Sequence, residues 1–404
     1  MSPPHTSERA TRLALALAWA AAWLCLPVSS VPVSSVPVSS VPVSSVPVSS
    51  VPAQQQEPSG AVQVSPGLTK KSILRGIEGS VGRFEVQTRI DMAAVGAPGV
   101  ELTLEGTSDS QLLLNGEGIL TLTDLDGVEI LAFLGARNDS GKLFNLTLDG
   151  GQTAMTYSEG DVTGEGALVL SDPYQTFRSA TMFVEKGGTL TKLFIGPDWK
   201  ELAETRAVRV DGEPRDVLAG LLDRELAPDQ LNRDDKNPDP ARNFAPEHAG
   251  LADLVGDFIV EQGAGEAVAR FCRTRLVGNG RYLVSVGGVI VEPESGAVEP
   301  NDGDASADRT PKLERVDQLT VIGFDSVRRV YQMFQVSGAD SPVHYCEGTP
   351  REDGELLLRD LVGGLKVRYS SEEGGVQRWE WTVGRSAPVQ VRLRPVPTAE
   401  DPGK

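Results

Sequence analysis

Leu319–Asp360, LTVIGFDSVRRVYQMFQVSGADSPVHYCEGTPREDGELLLRD, reads as four short strands separated by turns, and the chain contains it twice. Displaced by 188 positions, Leu131–Asp172 falls on the same pattern. Leu131 meets Leu319, Gly135 meets Gly323, Gly150 meets Gly338 and Tyr157 meets Tyr345. Glu159-Gly160 meets Glu347-Gly348, and Leu168, Leu170 and Asp172 meet Leu356, Leu358 and Asp360. A constant offset that lands on glycines and on alternate apolar positions marks a duplicated β domain.

Working outward, strand-like alternation recurs in both copies. Phe144, Leu146 and Leu148 share one face and Asn145 and Thr147 the other, the period of a sheet with one wet side. In the second copy Trp379 and Trp381 alternate with Arg378 and Glu380, and Leu365, Val367 and Tyr369 alternate with Lys366 and Arg368. In the first copy the alternation marks strands at Val81–Val86, Val100–Leu104, Gln111–Leu114, Phe133, Lys142–Leu148, Ala154–Tyr157, Ala167–Leu170 and Thr191–Ile195. Together with roughly nine short strands in the second copy, and few helical patterns among them, these predict antiparallel barrels. Gly135 and Gly323 are expected in equivalent turns. Helices are expected over Leu68–Glu78 and over Pro214–Gln230, where Val217, Leu218, Leu221 and Leu222 follow helical spacing.

Upstream of the shared stretch, Asn115-Gly116 meets Asn279-Gly280 at an offset of 164, which rises to 188 downstream, so the second copy gains 24 residues. The gain falls in an acidic, Pro/Gly-rich loop within 288–312. Its Asp302, Asp304 and Asp308 miss the spacing of a calcium loop, and a solvated loop is the favoured reading.

The ends carry other signals. Arg9 and Arg12 precede the apolar run Leu13–Leu26, an export signal over residues 1–26 that is too short to span a bilayer comfortably. Five copies of PVSSV over Pro27–Val51 predict an extended tether through residue 64, because proline at every fifth position forbids helix and sheet ladders. The expected organisation is then a first β domain at 65–210, helix and linker at 211–244, a second β domain at 245–395 and a disordered tail at 396–404. A net charge of -18 argues against nucleic acid, whose phosphates it would repel, and suits an exported protein, periplasmic or extracellular, with no transmembrane segment once the signal is gone.

Chemistry is sparse. Outside the export segment the chain has two histidines, His248 and His344, and lacks the HExxH, CxxC, P-loop and GxSxG motifs. Neither catalytic residues nor a cofactor are implied, and no metal site is expected. His248 is expected at the surface or capping a helix, and His344 bonded to a neighbouring strand. The YxEG motif, kept by both copies, is the strongest polar candidate. Glu347 either orients a ligand or accepts backbone N–H groups in a tight turn at Gly348. Trp379 and Trp381 either line a pocket or fill the barrel. The candidate ligand residues are therefore Tyr345, Glu347, His344, Trp379 and Trp381. Cys272 and Cys346, opposite Ser108 and Ser158 of the other copy, are expected to form a disulfide, with two independent buried thiols as the competing account.

PEHAGLADLVGDF (246–258), LVGNGRYLVSV (276–286), LTVIGFDSVRRVYQMF (319–334) and HYCEGT (344–349) resemble bacterial domain-of-unknown-function family 1579, secreted domains that start PEH…LVG-x-W. The resemblance covers about 150 residues of the second copy, with Phe258 at the usual Trp position. It implies two tandem calycin/lipocalin-like barrels and brings no catalytic residues. Three functions follow in order: a non-enzymatic exported protein holding a small apolar molecule in the second barrel; an envelope protein-interaction module with filled barrels; an enzyme using Glu347 or His344.

Overall fold

The computed structural model describes residues 81–95, 98–137, 140–163, 167–173, 176–183, 188–196, 198–223, 245–262, 270–290, 313–338, 343–351, 355–360 and 364–396. The export segment, the PVSSV tract, the helix expected at 68–78, the linker at 232–243, the acidic insertion and the C-terminal tail lie outside the described residues.

The chain is all-β, built as two closed antiparallel barrels of ten strands in which each strand pairs with its sequence neighbours and the last returns to the first. The first barrel comprises β1 (Gly82–Asp91), β2 (Glu101–Leu113), β3 (Gly118–Leu125), β4 (Val128–Ala136), β5 (Leu143–Asp149), β6 (Thr156–Val162), β7 (Ala167–Ser171), β8 (Phe177–Phe183), β9 (Thr189–Ile195) and β10 (Lys200–Val210). The second comprises β11 (Gly256–Gln262), β12 (Arg270–Val277), β13 (Tyr282–Ile290), β14 (Leu313–Asp325), β15 (Val330–Ser337), β16 (His344–Pro350), β17 (Leu356–Asp360), β18 (Leu365–Ser371), β19 (Gln377–Val383) and β20 (Val389–Pro395). Ten strands is two more than the lipocalin count. Closure leaves neither sheet with an unpaired edge.

Two short helices complete the frame. In α1 (Val217–Leu222) the Asp216 carboxylate accepts the Ala219 N–H at 3.0 Å, satisfying one of the first-turn donors. Pro214 lies ahead of the cap rather than in the first turn, and residues 224–230 of the expected helix lie outside the described residues. α2 (Pro246–Leu251) runs into a 3-10 turn at Ala252–Leu254 and packs against one end of the second barrel.

The β register decides which face is inside, and it reverses one expectation. Leu131 pairs with Leu148, Phe133 with Leu146 and Leu146 with Tyr157, which puts Phe144, Leu146 and Leu148 on the outside of the first barrel. Asn145 and Thr147, which the alternation suggested were wet, point into the lumen. The outer face is buried all the same, because it meets its counterpart on β13–β16. Leu120, Leu131, Phe133, Phe144, Leu146 and Tyr157 share one cluster with Val284, Leu319, Val321, Phe334, Val336 and Tyr345. Equivalent strands of the two copies thus meet as in a two-fold dimer whose protomers are fused into one chain. Tyr157 stacks on its own equivalent, Tyr345, with ring centroids 5.1 Å apart and planes 9° from parallel. Phe334 packs against Phe144 and Phe133 across the same seam.

Polar contacts fix the register of the seam. The Met155 N–H donates to Gln332 Oε1 at 2.9 Å, and Thr153 and Ser326 share a hydrogen bond of 2.7 Å. The buried Tyr282 hydroxyl faces the carbonyls of Asp149, Gln152 and Ala154 at 2.9–3.2 Å. α1 bridges the barrels, since its Val217 N–H donates to Gln111 Oε1 at 2.6 Å while its Leu222 carbonyl accepts from Arg275.

Gly135 and Gly323 are equivalent, as expected, but they sit within β4 and β14 rather than in turns. Each leaves room for an aromatic ring. A Cβ on Gly135 would lie 2.6 Å from the Phe144 ring, and one on Gly323 2.8 Å from the Tyr282 ring. Gly323→Ala is expected to destabilise the protein by about 1–3 kcal/mol, because the Tyr282 ring is pinned by its hydroxyl and cannot yield. Urea denaturation of the purified variant checks this.

Candidate functional site

The YxEG motifs lie within β6 and β16, not in a hairpin turn. Gly160 and Gly348 are demanded by backbone packing, since a Cβ at either would overlap the carbonyl of Val169 or Leu357 on the next strand. Tyr345 and Glu347 point outward into the seam and take no part in the lumen. The Glu347 carboxylate accepts from Arg328 Nη1 at 2.8 Å and from the Tyr345 hydroxyl at 3.2 Å. Glu159 is served likewise by Arg137 at 2.5 Å and by the Tyr157 hydroxyl. Burial first, and the Glu159 partner second, push the Tyr157 phenol far above its ordinary range, so it stays neutral. In the second copy the position of Arg137 is taken by Asp325, and the cation comes from Arg328, itself paired to Asp325 at 2.6 Å. The shared motif is thus a pair of neutralised carboxylates flanking stacked tyrosines.

The lumen of the second barrel holds the remaining candidates. Trp379 and Trp381 stack at 6.2 Å, and Tyr369, the register partner of Trp379, packs on it at 4.8 Å. His344 Nδ1 lies 2.8 Å from Asp360 Oδ2, the cross-strand bond expected of it, with Gln335 as its register partner. Met333, Cys346, Leu358 and Val367 fill the middle of the barrel. At the end where β11 begins, Leu251 and Leu254 seal the lumen, and the Leu254 carbonyl accepts from Gln377 Nε2. The opposite end is open: the inward-facing Val383 and Val389 are 54% and 62% exposed.

The expected disulfide is absent. Cys272 on β12 and Cys346 on β16 are buried free thiols. Three strands lie between them, each about 4.8 Å from the next, whereas a bridge tolerates a Cα separation of about 7 Å. Cys272 instead contacts the Ser285 hydroxyl at 2.8 Å. Burial raises both thiols, with Asp360 adding to the effect at Cys346, which makes both poor nucleophiles. Among the described residues no group of three or more His, Cys, Asp or Glu side chains is placed to hold a metal ion, and no helix is long and apolar enough to cross a membrane.

A scan of family models finds no match, and no curated protein matches the chain. Among solved structures, a protein of unknown function from the DUF3598 family of Nostoc punctiforme aligns with 10% identity over 81% of this chain and 97% of its own, at a TM-score of 0.20. The polymerase accessory subunit PF-8 of Kaposi's sarcoma-associated herpesvirus aligns over the same shares with 11% identity and a TM-score of 0.11.

His248, read as a surface or capping residue, both caps and is buried. Its Nδ1 accepts the Ala245 N–H at 2.9 Å, and its ring meets Phe324 edge-on beneath α2. Burial, and then the nearby Arg281 charge, push the imidazole down to about 4. Unfolded histidine titrates near 6.5, so between these values the unfolded chain binds a proton that the folded chain refuses. The contribution is present in full above about pH 6.5 and is lost as the pH falls towards 4, a change of about 3 kcal/mol. Urea denaturation at about pH 7.5 and about pH 4.5 should therefore show wild type losing about 2–3 kcal/mol more than His248→Gln over that interval.

Proposed function

We propose that this is an exported, non-enzymatic binding protein whose second barrel holds a small, largely apolar molecule in the half of its lumen away from α2. The observation that carries the reading is the mouth of that barrel, where the apolar inner face continues outward through Trp381 to the exposed Val383 and Val389. Apolar pockets with a few convergent polar groups are the common form of small-molecule sites, and His344, fixed by Asp360, and Gln335 supply those groups here. The two closed antiparallel barrels and the apolar run at Leu13–Leu26 support an exported barrel protein.

The packed half of the same lumen favours a second reading, an envelope interaction module with filled barrels, since Met333, Cys346, Leu358 and Val367 leave that half no room. Tryptophan fluorescence separates the two. Titration with laurate should give saturable quenching, weakened about tenfold or more by Trp381→Ala, a cost of about 1.4 kcal/mol or more. Non-saturable quenching, or a titration that Trp381→Ala leaves unchanged, supports the filled module.

A further inference from the structure

We propose that the first barrel is a second and chemically distinct binding site, whose lumen takes a neutral polyhydroxylated molecule of monosaccharide or cyclitol size. This does not rest on the reading of the second barrel. Halfway along the first lumen the inward positions change from apolar to hydroxyl-bearing. One apolar cluster places Ile90, Leu104 and Leu125 towards the end where β1 finishes, and its Phe84 and Val86 stand beside the belt, opposite Ser108 and Gly106. Another, including Ile119, Leu143 and Leu168, lies towards the end where β1 starts. Between them the hydroxyls pair across neighbouring strands: Thr88 with Thr205 at 3.0 Å, Ser108 with Thr123 at 3.0 Å, Ser110 with Thr121 at 2.9 Å and Thr181 with Thr191 at 3.0 Å. Asn145 and Thr147 join the belt on β5.

Each hydroxyl has one proton to donate and two lone pairs, so a pair that shares one hydrogen bond still has one donor and several acceptors to offer. The belt therefore presents both kinds of partner at closely spaced points, the complement of a molecule whose own groups are hydroxyls. The hydroxyl pairs form among neutral side chains, while the Arg209 guanidinium lies over Gly82, the register partner of Ser110, and donates to the Val81 carbonyl at 2.7 Å.

The lumen has room. Thr123, Asn145, Thr147, Thr181, Thr191 and Thr205 point inward yet remain partly exposed. At the corresponding positions of the second barrel the lumen is closed by larger groups: where the first barrel has Asn145 and Ser158, the second has the fully buried Met333 and Cys346. The route in is the end where β1 starts, since the inward-facing Leu112 and Val162 there are 43% and 38% exposed.

The test uses the full chain and three probes, glucose, N-acetylglucosamine and myo-inositol, followed by calorimetry and by saturation-transfer NMR. At least one should bind saturably with a Kd of about 1 mM or tighter. Thr123→Val combined with Thr191→Val, which keeps side-chain shape and removes two hydroxyls, should weaken it about tenfold, while Trp381→Ala in the other barrel leaves it unchanged. Circular dichroism verifies folding, and Thr123→Val alone, a smaller change in the same belt, should weaken binding in the same direction if the double variant does not fold. Failure of all three probes to saturate at about 10 mM means the lumen holds water only and overturns the proposal. Binding that survives loss of the belt hydroxyls overturns it equally.

Discussion

The outsides of two barrels, not their insides, make the largest continuous apolar core of this molecule. Strands β3–β6 and β13–β16 each present an outward row of Leu, Val and aromatic side chains that a solitary barrel would expose to water. Exposed patches of this extent are rarely tolerated on a monomer. Each copy supplies the surface that the other must cover, and α1 closes the flank. At 25 cal/mol per Å2 of apolar surface, burying even a few of these side chains contributes several kcal/mol, about the whole net stability of a domain. The paired tyrosines at the centre add ring stacking to that burial.

That constraint explains why the two copies kept what they kept. Tyr157 and Tyr345 must reach the centre of the seam, and each brings a carboxylate that needs a cation once buried beside it. The first copy draws the cation from Arg137 and the second from Arg328, so the pairing survived while its donor moved. Gly160 and Gly348 persist because the adjoining strands approach too closely for any side chain. With outer faces committed to each other, the lumens were free to diverge. One is aromatic and apolar, and the other is belted with hydroxyls.

The duplication, the antiparallel β class and the sharing of faces were legible in the sequence, because period-2 alternation and turn glycines are local properties. Which face is inside was not legible. Alternation separates Phe144 and Leu146 from Asn145 and Thr147 but carries no sign, and only the encounter with the second barrel makes the apolar face external. Three strands were hidden for related reasons. Lys200–Val210 is rich in Glu, Ala and Arg, good helix formers, and is a strand because it pairs on both sides in closing the barrel. Phe177–Phe183 and Gly118–Leu125 carry short hydroxyl-bearing inner faces that resemble loop composition. Of the candidate residues, His344, Trp379 and Trp381 do face one lumen. Tyr345 and Glu347 do not, since retention in both copies reflected the seam rather than a ligand, and the cysteines are separated by three strands.

The most direct test of a shared external core is whether the barrels unfold together. Trp199 reports on the first barrel and Trp379 with Trp381 on the second, so Trp199→Phe and the Trp379→Phe/Trp381→Phe pair separate the two signals in urea. Coincident transitions are expected, both moved to lower urea by Phe334→Ala, whose loss from the seam should cost about 3–5 kcal/mol. Two transitions at different urea concentrations, with that of the first barrel unmoved by Phe334→Ala, would show that each barrel is stabilised from within and would contradict this account.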